Sequence, residues 1–147
     1  MHVCMFSNYL LDHNQFHAAD VMQATIFFIG IPSISTRLSE LEKFALVFAA
    51  MIHDFDHPGV NNRFLINSRA NKALLYNDIA VLENHHVAAI FIHLEDNKNN
   101  FLSNLTTKDF LFFRKLVVEV VLATDLSTHF TFMTELRRAL VIDMLTN

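Results

Sequence analysis

The chain has 147 residues, with 11 Lys plus Arg against 15 Asp plus Glu and a formal net charge of -4. It is 52% hydrophobic and carries 15 Phe, yet has only 2 Gly and 2 Pro, where average usage gives roughly 10 and 7. So few turn-forming residues argue against a sandwich or barrel, the apolar content argues against low-complexity disorder, and the mildly acidic balance argues against a nucleic-acid surface.

In chain order, the N-terminal run MHVCMFSNYLLDH has no basic region ahead of its apolar part, so it does not read as a secretory signal. Cys4 is the single cysteine and has no partner for an internal disulfide. That fits a reducing compartment, and cytoplasmic localisation is expected. A first helix is expected from about Asn14 to Ile29, with Gly30 as a left-handed cap and Pro32 just beyond. The uncharged run Val21 to Thr36 contains Gln23, Gly30 and Pro32 and falls short of the roughly 20 apolar residues a bilayer crossing needs. No membrane span is therefore expected.

Ser39 with Glu42 reads as a capping box opening the next helix. Its body, Phe44 to Ile52, is apolar at every position, the pattern of a central buried helix. It should stop near His53-Asp54, with a loop enforced at 57–59 by His-Pro-Gly. A short helix is expected after Ser68, ending before Asn77-Asp78. Another should run from Val81 to Asp96, with Leu82, His86, Ala89, Ile90 and His93 on one face. After a polar loop at 97–100, Thr106 or Thr107 can cap a long helix striped by Phe110, Phe113, Val117, Val120, Val121 and Thr124. A last helix is expected from about Ser127 to Leu145. The fold class is thus all-α, a bundle of six or so helices in one unit with no convincing strand.

The nine histidines cluster. His13 and His17 are four apart, as are His53 and His57, while His85 and His86 are adjacent, and carboxylates lie close to each group. Spacing of four puts two imidazoles on one helix face, where they can share a site. The segment Ile52-His53-Asp54-Phe55-Asp56-His57-Pro58-Gly59 follows the most apolar helix. An Asp there meets the negative end of the helix dipole, at a cost of about 0.3–1 kcal/mol, and burial beside Phe48 and Met51 adds to it. The sequence offers no Lys or Arg between Lys43 and Arg63. A divalent metal held by His53 and Asp54 would compensate the charge, and the adjacent His and Asp also suit two metals. A hydrogen-bonded loop without metal is the alternative.

Four blocks in order carry a resemblance. Asp12-His13-Asn14-Gln15-Phe16-His17-Ala18-Ala19-Asp20-Val21 resembles the HNxxHAxDV block of the class I cyclic nucleotide phosphodiesterases. The stretch from His53 to Asn62 matches that family's HDxxHxxxxN signature, that from Tyr76 to His86 resembles YNDxSVLENHH, and that from Leu122 to Phe130 resembles LATDMSxHF. The resemblance covers most of the chain, and its wording leans toward the cAMP-hydrolysing branches. It implies an all-helical, HD-type domain that hydrolyses the 3′ phosphoester of cAMP or cGMP to the 5′-monophosphate in signal transduction. The histidine matching His13 is then the general acid for the leaving 3′ oxygen. Those matching His17 and His53 bind Zn2+, and the aspartate matching Asp54 bridges it to a second divalent metal, Mg2+ or Mn2+. Residues matching His57, Glu83, His86, Thr124 and Asp125 hold metal-associated waters and phosphate. No metal role is implied for His85, His93 or His129, and Asp20 and Asp78 are expected to act as structural acceptors.

Two departures accompany the match. Asp12 stands where the family usually has a Tyr. The family's domain also continues beyond the point matching Asn147, so residues 1–147 are expected to form a single partial catalytic domain. The fourth zinc ligand and the residues that grip the purine are then unassigned, autonomous activity is in question, and exposed apolar surface could drive homo-association. The partner is a cyclic nucleotide substrate rather than a nucleic-acid polymer. Two alternatives are a non-catalytic interaction fragment of such an enzyme and a helical di-iron protein.

Overall fold

The computed structural model describes residues 15–146, which form eight helices and, among the described residues, no strand. They are α1 (Gln15–Ile29), α2 (Pro32–Ser35), α3 (Glu40–Ile52), α4 (Asn62–Asn67), α5 (Asn71–Leu75), α6 (Val81–His93), α7 (Thr107–Leu122) and α8 (Leu126–Thr146). The all-α expectation is met. Cys4, Asp12 and His13 lie outside the described residues.

Helix α3 starts where the capping box places it. The Ser39 hydroxyl accepts from the Glu42 backbone N–H at 3.3 Å, and the Ser39 backbone N–H donates to Glu42 Oε2 at 2.7 Å. Two otherwise unpaired donors of the first turn are satisfied in this way. Ala45 and Ala49 are fully buried one turn apart, so neighbouring helices can approach the α3 backbone closely. α3 packs against α1, α6 and α7 and is the central element, although Phe44 at its start is 41% exposed.

The core between α3, α6 and α7 is largely aromatic. The Phe48 ring lies 5.4 Å from Phe113, 5.6 Å from Phe101 and 6.3 Å from Phe91, in tilted or edge-on arrangements. Ile52, Phe55, Val87, Ile90, Val117 and Val121 complete this cluster. Edge-to-face aromatic pairs contribute roughly 0.5–1.5 kcal/mol each beyond the area they bury. A smaller cluster of Leu65, Ala73, Val81 and Leu82 seats α4 and α5 against the start of α6.

Two expectations need correction, and two short helices were not anticipated. Gly30 is not a left-handed cap, because the only glycine at positive φ is Gly59. The Gly30 N–H instead bonds Ile26 O at 3.0 Å, and the chain turns through extended Ile31 (φ -63, ψ 127) into α2, with Pro32 in its first turn. Helices α2 and α4 lack a sequence period because each is too short to show one. The stripe of α7 buries Phe113 completely, while Phe112 beside it is 46% exposed and Thr124 is exposed as well.

Phe113→Ala is expected to cost about 3–5 kcal/mol in urea unfolding, as large aromatic-to-alanine core truncations do. Phe112→Ala should stay within about 1 kcal/mol.

Candidate metal centre

The end of α3 carries His53 and Asp54 into a tight turn. Phe55 N–H donates back to Ile52 O at 2.9 Å and His57 N–H to Asp54 O at 3.3 Å, so the chain winds through a tight turn immediately after the helix. Asp56 (φ 56) and Gly59 (φ 78) take left-handed conformations on either side of His57-Pro58. Only glycine adopts that region freely, so the turn holds Asp56 against a modest intrinsic preference.

His17 comes from the first turns of α1, which packs along α3. Its Nε2 lies 3.2 Å from His53 Nε2 and 3.3 Å from Asp54 Oδ2, and His53 Nε2 is 3.2 Å from the same oxygen. His53 Nδ1 lies 2.8 Å from the Ala50 carbonyl, a contact that fixes its proton on Nδ1 and turns the Nε2 lone pair toward the triangle. Burial works to lower the His53 imidazole, but the Asp54 carboxylate and the Ala50 carbonyl outweigh it and hold the group above its ordinary value. A proton or a cation belongs among these three atoms.

The triangle fits a metal. A tetrahedral site with bonds of roughly 2.0–2.1 Å has ligand-to-ligand edges of about 3.3–3.4 Å, close to the three distances observed. His17, His53 and Asp54 form one group able to hold an ion, and Asp54, His57 and His86 form a second. Asp54, 16% exposed, belongs to both. Nitrogen and carboxylate donors of this kind suit a divalent ion of the zinc type.

The two further imidazoles are oriented differently. His86 is 2% exposed, and its Nδ1 bonds the Phe55 carbonyl at 2.5 Å. Burial pushes its pKa down to about 4, against the pull of the Phe55 carbonyl and Asp54. It is therefore a neutral ring whose Nε2 is a lone pair. His57 stacks on it with ring centroids 5.6 Å apart, and its Nδ1 accepts the Gly59 N–H at 3.0 Å. A neutral His57 thus carries its proton on Nε2 and acts as a donor there.

A cleft of about 520 Å³ is lined by His53, Asp54, His57, Glu83, His86, Thr124 and Asp125 together with Asn62. Seven of the residues singled out in the sequence therefore line one concavity, and His17 touches two of them. Thr124 and Asp125 sit at the α7–α8 joint, where the Thr124 hydroxyl donates to Val121 O at 2.7 Å and the Asp125 carboxylate accepts from Ser127 N–H at 2.8 Å. His13 lies outside the described residues. His85 lies apart from the metal groups, with its Nε2 2.7 Å from Asp56 Oδ2 and 2.8 Å from Lys72 Nζ. Burial would raise the Asp56 carboxyl, but His85 and Lys72 together bring it below the usual range.

Sequence reasoning gave Asn62 no role. Its side chain bonds both Glu83 and the backbone of Leu82. The only prior sign was its place as the closing Asn of the second block.

Comparison with known proteins adds the context. A profile of the 3′,5′-cyclic nucleotide phosphodiesterases matches residues 12–144. The chain is 46% identical over 134 residues to the probable 3′,5′-cyclic phosphodiesterase pde-6 of Caenorhabditis elegans, covering 90% of this chain and 18% of that protein. It is 46% identical over 125 residues to the 3′,5′-cyclic-AMP phosphodiesterase 4C of Rattus norvegicus, covering 85% of this chain and 23% of the relative. Among solved structures, the phosphodiesterase domain of the RhoPDE fusion protein from the choanoflagellate Salpingoeca rosetta superposes with a TM-score of 0.83 at 37% identity, covering 89% of this chain and 41% of that one. The chain thus spans about a fifth of the length of these curated relatives.

Adding a divalent transition metal to metal-free protein should raise its melting temperature, by the equivalent of about 2.7 kcal/mol at 100 times Kd. Asp54→Asn or His53→Ala should remove most of that gain in a thermal-shift titration, whereas His93→Ala should leave it intact.

Proposed function

Because this chain belongs to the 3′,5′-cyclic nucleotide phosphodiesterase family, we propose that it hydrolyses the 3′ phosphoester of cAMP or cGMP, releasing the 5′-monophosphate in signal transduction. The observation that carries the proposal is that Asp54, which lines the cleft, is shared between two three-residue groups able to hold an ion.

His17, His53 and Asp54 would hold Zn2+, and Asp54 would also face a second divalent ion, Mg2+ or Mn2+. Bound there, the two ions would lower the pKa of a shared water and neutralise charge on the phosphoryl oxygens. The chain's own groups do the rest. His57, with its Nε2 proton, is a donor suited to a phosphoryl oxygen or a water in the cleft. His86 stays neutral and offers an acceptor. Glu83, Thr124 and Asp125 add oxygen acceptors around the same space, where such partners orient ligands and tune metal affinity. His13 would supply the proton to the departing 3′ oxygen, as an imidazole titrating near neutrality can.

The proposal takes residues 1–147 as part of a single catalytic domain in the cytoplasm. Among the described residues no helix is long and apolar enough to cross a membrane. Phe16 and Phe27 on α1 are 71% and 69% exposed, and homo-association through such side chains would be read by sedimentation velocity.

With Zn2+ and Mg2+ supplied, the full chain is expected to convert labelled cAMP or cGMP to the 5′-monophosphate. His13→Ala should lower turnover by about 10²–10⁴-fold with metal content unchanged, while Asp54→Ala should lose metal and turnover together. Metal-replete protein that turned over neither nucleotide, both as residues 1–147 and when extended to the length of the family's catalytic domain, would sink the proposal, as would iron with visible absorption in place of zinc.

A further inference from the structure

Helix α6 begins without a cap of its own. Its N-cap is Ala80, held left-handed at φ 42, with no side chain able to take a first-turn N–H. The three residues ahead of Ala80 include two more at positive φ, Asn77 and Asp78. The first turn of α6 is therefore entered through unfavourable backbone and leaves donors to be satisfied elsewhere.

Asn62, the first residue of α4, satisfies one of them from 20 positions away. Its Oδ1 accepts the Leu82 N–H at 2.8 Å, and its Nδ2 donates to Glu83 Oε2 at 2.9 Å. Leu82 and Glu83 stand at the second and third positions of α6. A capping box makes a comparable pair of bonds, with the N3 backbone N–H and the N-cap backbone N–H as donors, within one helix start. Here one amide from another helix both caps a helix start and grips a carboxylate that lines the cleft. Only a side chain with an acceptor and a donor side by side can do both. Aspartate keeps the acceptor but places a second carboxylate against Glu83, and alanine keeps neither.

We infer that Asn62 is a positioning residue: it caps α6 from α4 and thereby holds the Glu83 carboxylate in place for the second divalent ion. The inference deepens the phosphodiesterase reading and rests on it. A cap-only role and a positioning role separate in Asn62→Asp, because a carboxylate caps a helix start as well as an amide does.

Three measurements on the full chain decide the matter. In metal-free thermal unfolding, Asn62→Ala should melt lower than the parent and Asn62→Asp should recover most of the loss. In Mn2+ binding followed by electron paramagnetic resonance on zinc-loaded protein, Asn62→Asp should bind about tenfold more weakly, with zinc content unchanged. In metal-free crystals, Glu83 should lie on Asn62 in the parent and swing away in Asn62→Asp. Parental Mn2+ affinity in Asn62→Asp, or an unmoved Glu83, would overturn the inference, and so would loss of zinc along with Mn2+. Parent protein that took up no Mn2+ would refute the metal reading instead, and the crystals would still judge the placement of Glu83 by Asn62.

Discussion

A carboxylate at the wrong end of a helix organises this molecule. Asp54 stands two residues beyond the last residue of α3, where the backbone dipole is negative, and its side chain is largely withdrawn from water. Held charged there, it requires positive charge nearby. Two imidazole nitrogens converge on one of its oxygens at 3.2–3.3 Å, and the spacing of the three atoms matches one face of a tetrahedral ion site. A second pair of imidazoles reaches the same carboxylate from the loop and from α6. One electrostatic demand thus ties together α1, α3, the 53–59 turn and α6.

The apolar core makes that convergence rigid. Phe48 and Ile52 lie on α3, directly ahead of His53 and Asp54, and are buried with Phe91, Phe113 and Val121 from α6 and α7. Position at the ligand end is consequently fixed by packing only one or two turns away, where displacement of even a methylene is costly. The carbonyls of Ala50 and Phe55 take part as well. Each bonds the Nδ1 of an imidazole and so selects which ring nitrogen faces the cleft. His57 receives the opposite instruction from the Gly59 N–H. Backbone groups between Ala50 and Gly59 therefore sort three neutral histidines into two lone-pair rings and one donor.

Much of this was legible in the residues. Capping signals at Ser39 and Thr106 and the long apolar periods located α3 and α7, because both effects act within a few residues. The dipole argument at Asp54 singled out His53 and Asp54 for the same reason, whereas the place of His17 beside them was implied only by the family resemblance. Legibility failed where a remote partner decides the local outcome. Gly30 stayed out of the left-handed region, the chain turning at extended Ile31 instead. Phe112 and Phe113, identical in type, differ wholly in burial because only one faces α3. Asn62 had no visible function because its two partners are 20 and 21 positions distant. The placement of His13 lies outside the described residues.

The borrowed cap also bears on how the chain folds. An α6 segment that begins at left-handed Ala80 has little reason to keep its first turn wound in isolation, since nucleation of a helix is costly even with a good cap. That turn becomes secure only once α4 has docked and Leu65, Ala73, Val81 and Leu82 have closed over one another. The start of α6, α4 and α5 therefore behave as one cooperative unit, opening and closing together. Amide hydrogen exchange at Leu82 would then report the docking of another helix rather than the fraying of its own.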